Sequence, residues 1–340
     1  MQKRLALSVP HFGFNLPEHV GIAHEAEELG YTDAWSFEVD GQDCFAPLAV
    51  FALHSKMRIG TAIANVYTRG PATLAQSAAS IADLAPGRFE FGVGSGSQPI
   101  VEQWNSMKFR KPATRVKEMV QFLRPALAGE RVVFEGETFK VDGFRLSQPP
   151  EVAPRIHVAA LRENMLSVAG EVGDGAIINW LSAEDVKKSV AVVREAAAKA
   201  GRDPEKIEIT ARLMVNIDPP GPEADVARRR YINAYLHVPV YKSFHQWLGR
   251  GGVLRGMWDA WDAGDRKGAL ANTPDEVVDD LIVHGTADQR NEHVQRYLDA
   301  GIDTAFLSWF TFEPDAQKRR ELINQAMVEM SPKNRGRALQ

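Results

Sequence analysis

The sequence predicts an α/β protein built as a (β/α)8 TIM barrel in a single domain spanning residues 1–340. Three observations carry that prediction. Strand-like and helix-like segments alternate from the first residues to the last. Eight strand–helix units can be counted, whereas an open doubly wound sheet needs no closing eighth strand. The strand runs are continuously apolar, as in parallel strands buried on both faces.

The first unit pairs "LALSVP" with the helical pattern "LPEHVGIAHEAEELG", which Gly30 closes. "YTDAWSFE" and "FAPLAVFALHS" form the second, "RIGTAIANV" and "PATLAQSAASIADLAPG" the third, "RFEFGVGSG" and "ATRVKEMVQFLRPALAGE" the fourth. "VVFEGETFKVDGFRL" then alternates at period two and reads as a β-hairpin inserted before strand five. Strand five is "RIHVAAL". Strand six, "AIINWL", precedes the helix "SAEDVKKSVAVVREAAAKAG". "KIEITARLMVNI" is strand seven, "DTAFLSWF" strand eight, and "DAQKRRELINQAMVEM" the closing helix. A long insertion, 219–285, separates strands seven and eight. It holds Tyr231, Tyr235, Tyr241, Phe244, Trp247, Trp258 and Trp261 and the glycine cluster "GRGGVLRG". Two readings stand: a helical lid over the barrel with a glycine hinge, or extra helices packed on its wall.

Composition narrows the function. A formal charge of −4 gives no basic footprint for nucleic acid. Cys44 is the only cysteine, so neither a disulfide framework nor a cysteine metal cluster is expected. His157, His237, His245, His284 and His293 lack metal-ligand spacing, and no metal is expected. The start turns polar too soon for a signal peptide, and no apolar run reaches membrane-spanning length. These features predict a soluble cytoplasmic protein without nucleic-acid or membrane partners; a homodimer acting on a small-molecule substrate is a further expectation.

Active sites of such barrels are built at the C-terminal ends of the strands. Strand one delivers His11 there, and strand two Glu38, with Asp40 and Asp43 just beyond. Strand three delivers Asn65, Tyr67 and Arg69. Tyr67, Trp180 after strand six and Trp309 on strand eight would wall an apolar substrate pocket. His11 and Glu38 are the catalytic candidates. His11 is favoured as proton donor because an imidazole titrates near neutrality, whereas Glu38 would need a raised pKa. Strand four ends "GVGSGSQP", where Gly94 and Ser95 leave room for a flat ring or a phosphate. The stretch "HVAALRENMLSVAGEVGDGAIIN" ends a strand on two alanines and opens a helix with free N–H groups. That is a phosphate-ready turn or simply a tight strand-to-helix connection. "KFRKPATRVK" carries Lys108, Arg110, Lys111 and Arg115, a solvated loop or an anion-facing one.

The order of these segments resembles the bacterial luciferase-like superfamily, in its branch using the deazaflavin coenzyme F420. The carriers are "DAWSFEVDGQDCFAPLAVFA", "RIGTAIANVYTRGPATLAQSAASIADLAPGRFEFGVGSGS", "IHVAALRENMLSVAGEVGDGAIIN" and "NTPDEVVDDLI…YLDAGIDTAFLSW". The likeness is to actinobacterial F420-dependent oxidoreductases, and more remotely to methylenetetrahydromethanopterin reductase and F420-dependent sugar-phosphate dehydrogenases.

The resemblance implies that backbone N–H groups at Ala159, Ala160, Leu161 and Arg162, with Asn179, receive the coenzyme's phosphate. Relatives often have glycines where this chain has Leu161 and Arg162. It implies a bulge in strand three with a cis peptide bond at Ala62–Ile63 backing the ring, with Asn65, Gly94 and Ser95 also on the coenzyme. It places Glu38 at the ring edge. Val39 stands where relatives often carry a histidine, and Ser97 where the sugar-phosphate dehydrogenases carry a glutamate. The basic loop would meet the coenzyme's anionic tail. The implied activity is hydride transfer between F420 and a ketone, imine or enone. The alternatives are a monooxygenase using flavin mononucleotide (FMN) and a barrel that only binds a ligand.

Overall fold

The computed structural model describes residues 3–338. Eight parallel strands close into a barrel: β1 (Arg4–Val9), β2 (Asp33–Ser36), β3 (Arg58–Thr61), β4 (Phe89–Gly94), β5 (Arg155–Ala159), β6 (Gly175–Asn179), β7 (Glu208–Asn216) and β8 (Thr304–Phe310). Closure runs through β8 against β1, with Ala6 opposite Phe306. The hairpin before β5 pairs Val132–Glu135 with Lys140–Phe144. Among the described residues no helix is long and apolar enough to cross a membrane.

Strand alternation sorts the side chains into two sets. Outward residues such as Leu7, Val9, Val158, Ala211 and Leu307 join the apolar layer beneath the helices. Inward residues fill the barrel from the bottom. Nearly every strand begins with a polar inward residue, and these form one ion-pair cluster. Arg58 donates to Asp33, to Glu90 at 3.1 Å, to Glu208 at 2.7 Å and to Thr304 at 3.0 Å. Arg155 donates to Glu208 at 2.7 Å, and His157 Nε2 lies 2.7 Å from Glu90. Glu90, His157 and Glu208 are close enough together to ligate a metal. Arg58 and Arg155 already answer those carboxylates, which makes the cluster a sealed barrel floor.

Above it, Trp35 stacks on Phe306 at 5.7 Å and meets His157 edge-on. Ala6 and Ile177 complete this layer. A Cβ at Gly92 would run into the Thr61 carbonyl, so β3 and β4 approach closely only because the residue is glycine. The barrel is solid up to Trp35, and what lies above is the mouth.

The 219–285 insertion folds as five helices: Pro222–Leu236, Pro239–Trp247, Arg255–Asp262, Arg266–Ala271 and Asp275–Leu281. It has its own apolar core around Ile232, Leu236, Met257, Trp258 and Leu281. The glycine cluster does not leave it loose. Arg250, within that cluster, donates to Asp185 at 2.5 Å and to Asp280 at 3.3 Å, tying the insertion to the helix Ala183–Lys199.

Candidate active site at the barrel mouth

The mouth has a flat apolar floor on the β3–β5 side. Ala62, Ile63 and Ala159 are half-exposed and pack on the Trp35 layer. The Ala62–Ile63 peptide bond is cis, and the chain then rejoins the sheet as Ala64–Asn65 beside Val93 and Gly94. A Cβ at Gly94 would lie 3.1 Å from both Ala159 Cβ and Ile63 Cγ1, so this glycine keeps the floor level. Asn65 does not face the opening: it is 3 % exposed, and its Oδ1 accepts from the Tyr67 N–H at 2.8 Å. Its amide fills the space a Cβ would need at Gly96, which has φ +62°. Asn65 therefore shapes the turn after β4, and Ser95 sits half-buried in that turn.

Beyond β5 the turn is only partly as the resemblance implies. The Ala160 N–H is committed to the Ile177 carbonyl at 2.9 Å and has nothing left for a phosphate. The helix Glu163–Val172 has no side chain capping its start. The backbone N–H groups from Leu161 to Asn164 have no partner among the described residues. That is an anion-ready helix N-terminus shifted two residues along the chain from the sequence expectation. Asn179, half-buried at the end of β6, has its amide beside the Tyr241 hydroxyl.

The catalytic candidates need correction. His11 is not in the mouth. Its ring lies in the layer outside the barrel, 5.2 Å from Trp309, 5.9 Å from His19 and 6.2 Å from Phe14. Neither ring nitrogen has a hydrogen-bond partner among the described residues. Burial, helped by His19, lowers its pKa to about 3, so the imidazole is neutral at physiological pH. Trp309 shares this fate. Alternation along β8 puts Thr304, Phe306, Ser308 and Phe310 inward, hence Trp309 outward. Glu38 is at the rim, but both its oxygens accept from Arg69 at 2.6 Å, so it is a paired acceptor rather than a poised donor.

The other two pocket candidates are structural props. Tyr67 is 5 % exposed and its hydroxyl donates to the Arg110 carbonyl at 2.6 Å, tethering the basic loop. Within that loop Lys111 is paired with Glu137, whereas Lys108 and Arg110 are exposed and lack an ion-pair partner among the described residues. Trp180, at φ +55°, turns into the insertion and packs against Tyr235 with ring centroids 4.5 Å apart, leaving it 2 % exposed.

Sequence reasoning missed the residues that do face the opening opposite the floor. Arg212, inward on β7, donates to Ser308 Oγ at 2.9 Å and lies over the Phe37 ring at 4.5 Å. Tyr231, Tyr235 and Tyr241 of the insertion surround it, and burial outweighs them in lowering its pKa. Tyr231 in turn stacks on Phe310 at 4.3 Å. A cavity of about 430 Å³ opens elsewhere, at the bottom of β5–β7 among Arg124, Arg155, Asp174 and Arg202. Its arginines are spent on Asp174 and on backbone carbonyls, and it lies away from the mouth.

His11 gives a sign-definite pH effect. Because its pKa is lower folded than unfolded, the unfolded chain takes up a proton that the folded one does not. Stability is therefore lost as pH falls below about 6.5. Going from pH 6.5 to 5.5, His11 alone should cost about 1 kcal/mol. His11→Phe is expected to remove that part of the acid sensitivity, read from urea midpoints at the two pH values. An unchanged pH slope would show that the ring does not stay neutral in the folded protein.

Comparison with known proteins agrees with this architecture. A 5,10-methylenetetrahydromethanopterin reductase from Methanolobus tindarius is 28% identical over 90% of this chain and 95% of its own length. The enzyme of the same name from Archaeoglobus fulgidus is 27% identical over 89% and 92%. Among solved structures, the coenzyme F420 dependent tetrahydromethanopterin reductase of Methanopyrus kandleri superposes with a TM-score of 0.75 at 20% identity, covering 96% of this chain and 98% of that one. The FMN complex of the 3,6-diketocamphane monooxygenase component from Pseudomonas putida gives 0.67 at 19%, covering 99% of both chains. Reductases and monooxygenases thus share this fold, and the family model for luciferase-like monooxygenases matches residues 2–304. The chain belongs to the luciferase-like monooxygenase family.

Proposed function

We propose that this protein is an F420-dependent oxidoreductase that transfers a hydride between the coenzyme and a small, largely apolar organic substrate: a ketone, imine or enone. The observation that carries the reading is the flat floor of Ala62, Ile63, Gly94 and Ala159 lying beside the unpartnered N–H groups of Leu161 to Asn164. A planar ring on the first and a phosphate on the second is what that pair of features fits. The choice of deazaflavin over flavin is supported by reductase relatives aligned along nearly the whole chain, together with the likeness to a reductase described as coenzyme F420 dependent.

Bound there, F420 supplies the hydride or accepts it. The chain's own residues hold and orient. The floor supports one ring face, and the helix dipole and free donors hold the phosphate. Lys108 and Arg110 would meet the anionic tail, where exposed charges act within about 10 Å at 0.1 M salt. The insertion's tyrosines cover the far side and exclude water. Burial and the neighbouring Tyr235 push the Tyr241 phenol up to about 12, so it stays protonated and can donate.

Titration of the purified protein with F420, FMN and NAD tests this. Micromolar or tighter binding of F420, with FMN and NAD at least tenfold weaker, is the expected result. Equal or tighter FMN binding overturns the coenzyme assignment in favour of the monooxygenase reading. Binding of none of them leaves a ligand-binding barrel.

A further inference from the structure

We infer that the half of the mouth opposite the ring floor is a carboxylate site centred on Arg212, and that the substrate is an apolar or aromatic acid. This rests on the proposed function only in taking the β3–β5 side for the coenzyme. The evidence for the anion itself is independent of which coenzyme binds.

Arg212 is a cation without an anion. No carboxylate pairs with it among the described residues, and the ionisable groups that act on it are the three tyrosine hydroxyls. The acids of the barrel rim and floor are already engaged. Glu38 is held by Arg69 at the rim, and Asp33, Glu90 and Glu208 by Arg58 at the barrel floor. Of the five N–H donors of the guanidinium, one is used, on Ser308 Oγ. The Nε is buried with no partner among the described residues. A half-buried charge left in this condition is costly, and a Met of similar length would pack against Phe37 without that cost. An arginine kept here is answered by something that arrives.

The chemistry of the arriving group follows from its surroundings. A guanidinium offers parallel N–H donors that match a carboxylate in a bidentate pair. Burial raises the phenols of Tyr231 and Tyr241, which stay protonated and add neutral donors around the same point. Phe37 beneath the guanidinium and Phe310 stacked on Tyr231 make the surroundings aromatic, which suits an apolar or aromatic body. A neutral carbonyl would satisfy a hydrogen bond but would leave the charge unanswered.

The test uses sodium benzoate and its neutral isostere benzamide, titrated at constant ionic strength into wild type, Arg212→Met and Arg212→Lys, with binding read by calorimetry and Tm. F420 is titrated into the same preparations. Wild type is expected to bind benzoate at least tenfold more tightly than benzamide. Arg212→Met should abolish that preference, keep its F420 affinity, and have a Tm equal to or above wild type because a stranded charge is gone. Arg212→Lys should keep part of the preference. Equal binding of benzoate and benzamide to wild type overturns the inference. So does a preference that survives in Arg212→Met, or a sharp fall in that variant's Tm, which would make Arg212 a structural residue. If Arg212→Met does not fold, the wild-type pair and Arg212→Lys decide. Loss of F420 binding with the benzoate preference intact would sink the coenzyme assignment and leave this site standing.

Discussion

Arg58→Met is expected to destabilise the protein by about 3–5 kcal/mol, the usual cost of removing one partner from a buried ion pair. The variant leaves Asp33, Glu90 and Glu208 facing one another at the barrel bottom, with side chains 0 %, 7 % and 3 % exposed. Arg155 still reaches Glu208 at 2.7 Å but sits 3.9 Å from Glu90, and it is itself 40 % exposed, so it replaces little of the lost charge. Arg58→Lys keeps the charge but not the planar fork that serves three carboxylates, and an intermediate loss is expected.

The pH dependence follows from the directions of the shifts. In the wild type the Arg58 and His157 partners hold Glu90 and Glu208 below the usual glutamate value of 4.5, against the opposing pull of burial. A carboxylate with a depressed folded pKa stabilises above its unfolded pKa and ceases to do so as pH falls through the lower value. Asp33 runs the other way, because burial holds it above its usual value despite Arg58. Two lowered groups against one raised one leave the wild-type cluster losing stability below about pH 4.5. Without Arg58 the carboxylates favour their protonated forms, so mild acid helps the variant. Urea midpoints should therefore differ most at pH 7.5 and draw together toward pH 5. Equal midpoints at pH 7.5 would show that the cluster contributes nothing to folding.

The barrel could be read from the sequence because its strands are long enough, and apolar enough, to announce a buried parallel sheet. The charged residue at or near each strand's start, in "RIGT", "FEFG", "RIHV" and "EITA", was equally visible. It becomes meaningful only once closure brings those starts to one point. The mouth was harder for a definite reason. Lying at the end of a barrel strand does not make a residue point inward: alternation decides that, and Trp309 falls one position out of phase with Ser308 and Phe310. The turn after β1 carries His11 to the outer layer, and the left-handed backbone at Trp180 sends that ring into the insertion. Arg212 was legible by the same rule. In "EITARLM", Glu208, Thr210 and Arg212 alternate with apolar residues, so an arginine on the inward face of a barrel strand was already stated by the pattern. The tyrosines around it could not be assigned, because which helix of a 67-residue insertion faces the barrel is a tertiary fact.

Ala159→Leu is expected to weaken coenzyme binding by about a hundredfold while leaving the fold intact. Ala159 is the inward residue at the end of β5, half-exposed, with the Trp35 layer below it and open mouth above. A leucine there has room to point upward, so folding does not require the core to yield, and the loss in Tm should stay within a few degrees. The same side chain then occupies the plane in which a flat ring would rest between Ile63 and Gly94. Binding must either displace it or lift the ring off the floor. A hundredfold loss corresponds to about 2.7 kcal/mol, comparable to the overpacking penalty of extra methylenes in a filled site. Gly94→Val should cost as much binding but more stability, because a Cβ at Gly94 already lies 3.1 Å from Ala159 and Ile63. The two variants thus separate blocking the floor from breaking it. F420 affinity by titration and Tm by calorimetry, measured on both, give the answer. An Ala159→Leu protein that binds F420 as tightly as the wild type would mean that the ring lies elsewhere in the mouth, and the assignment of the Ala62–Ile63 floor would fall with it.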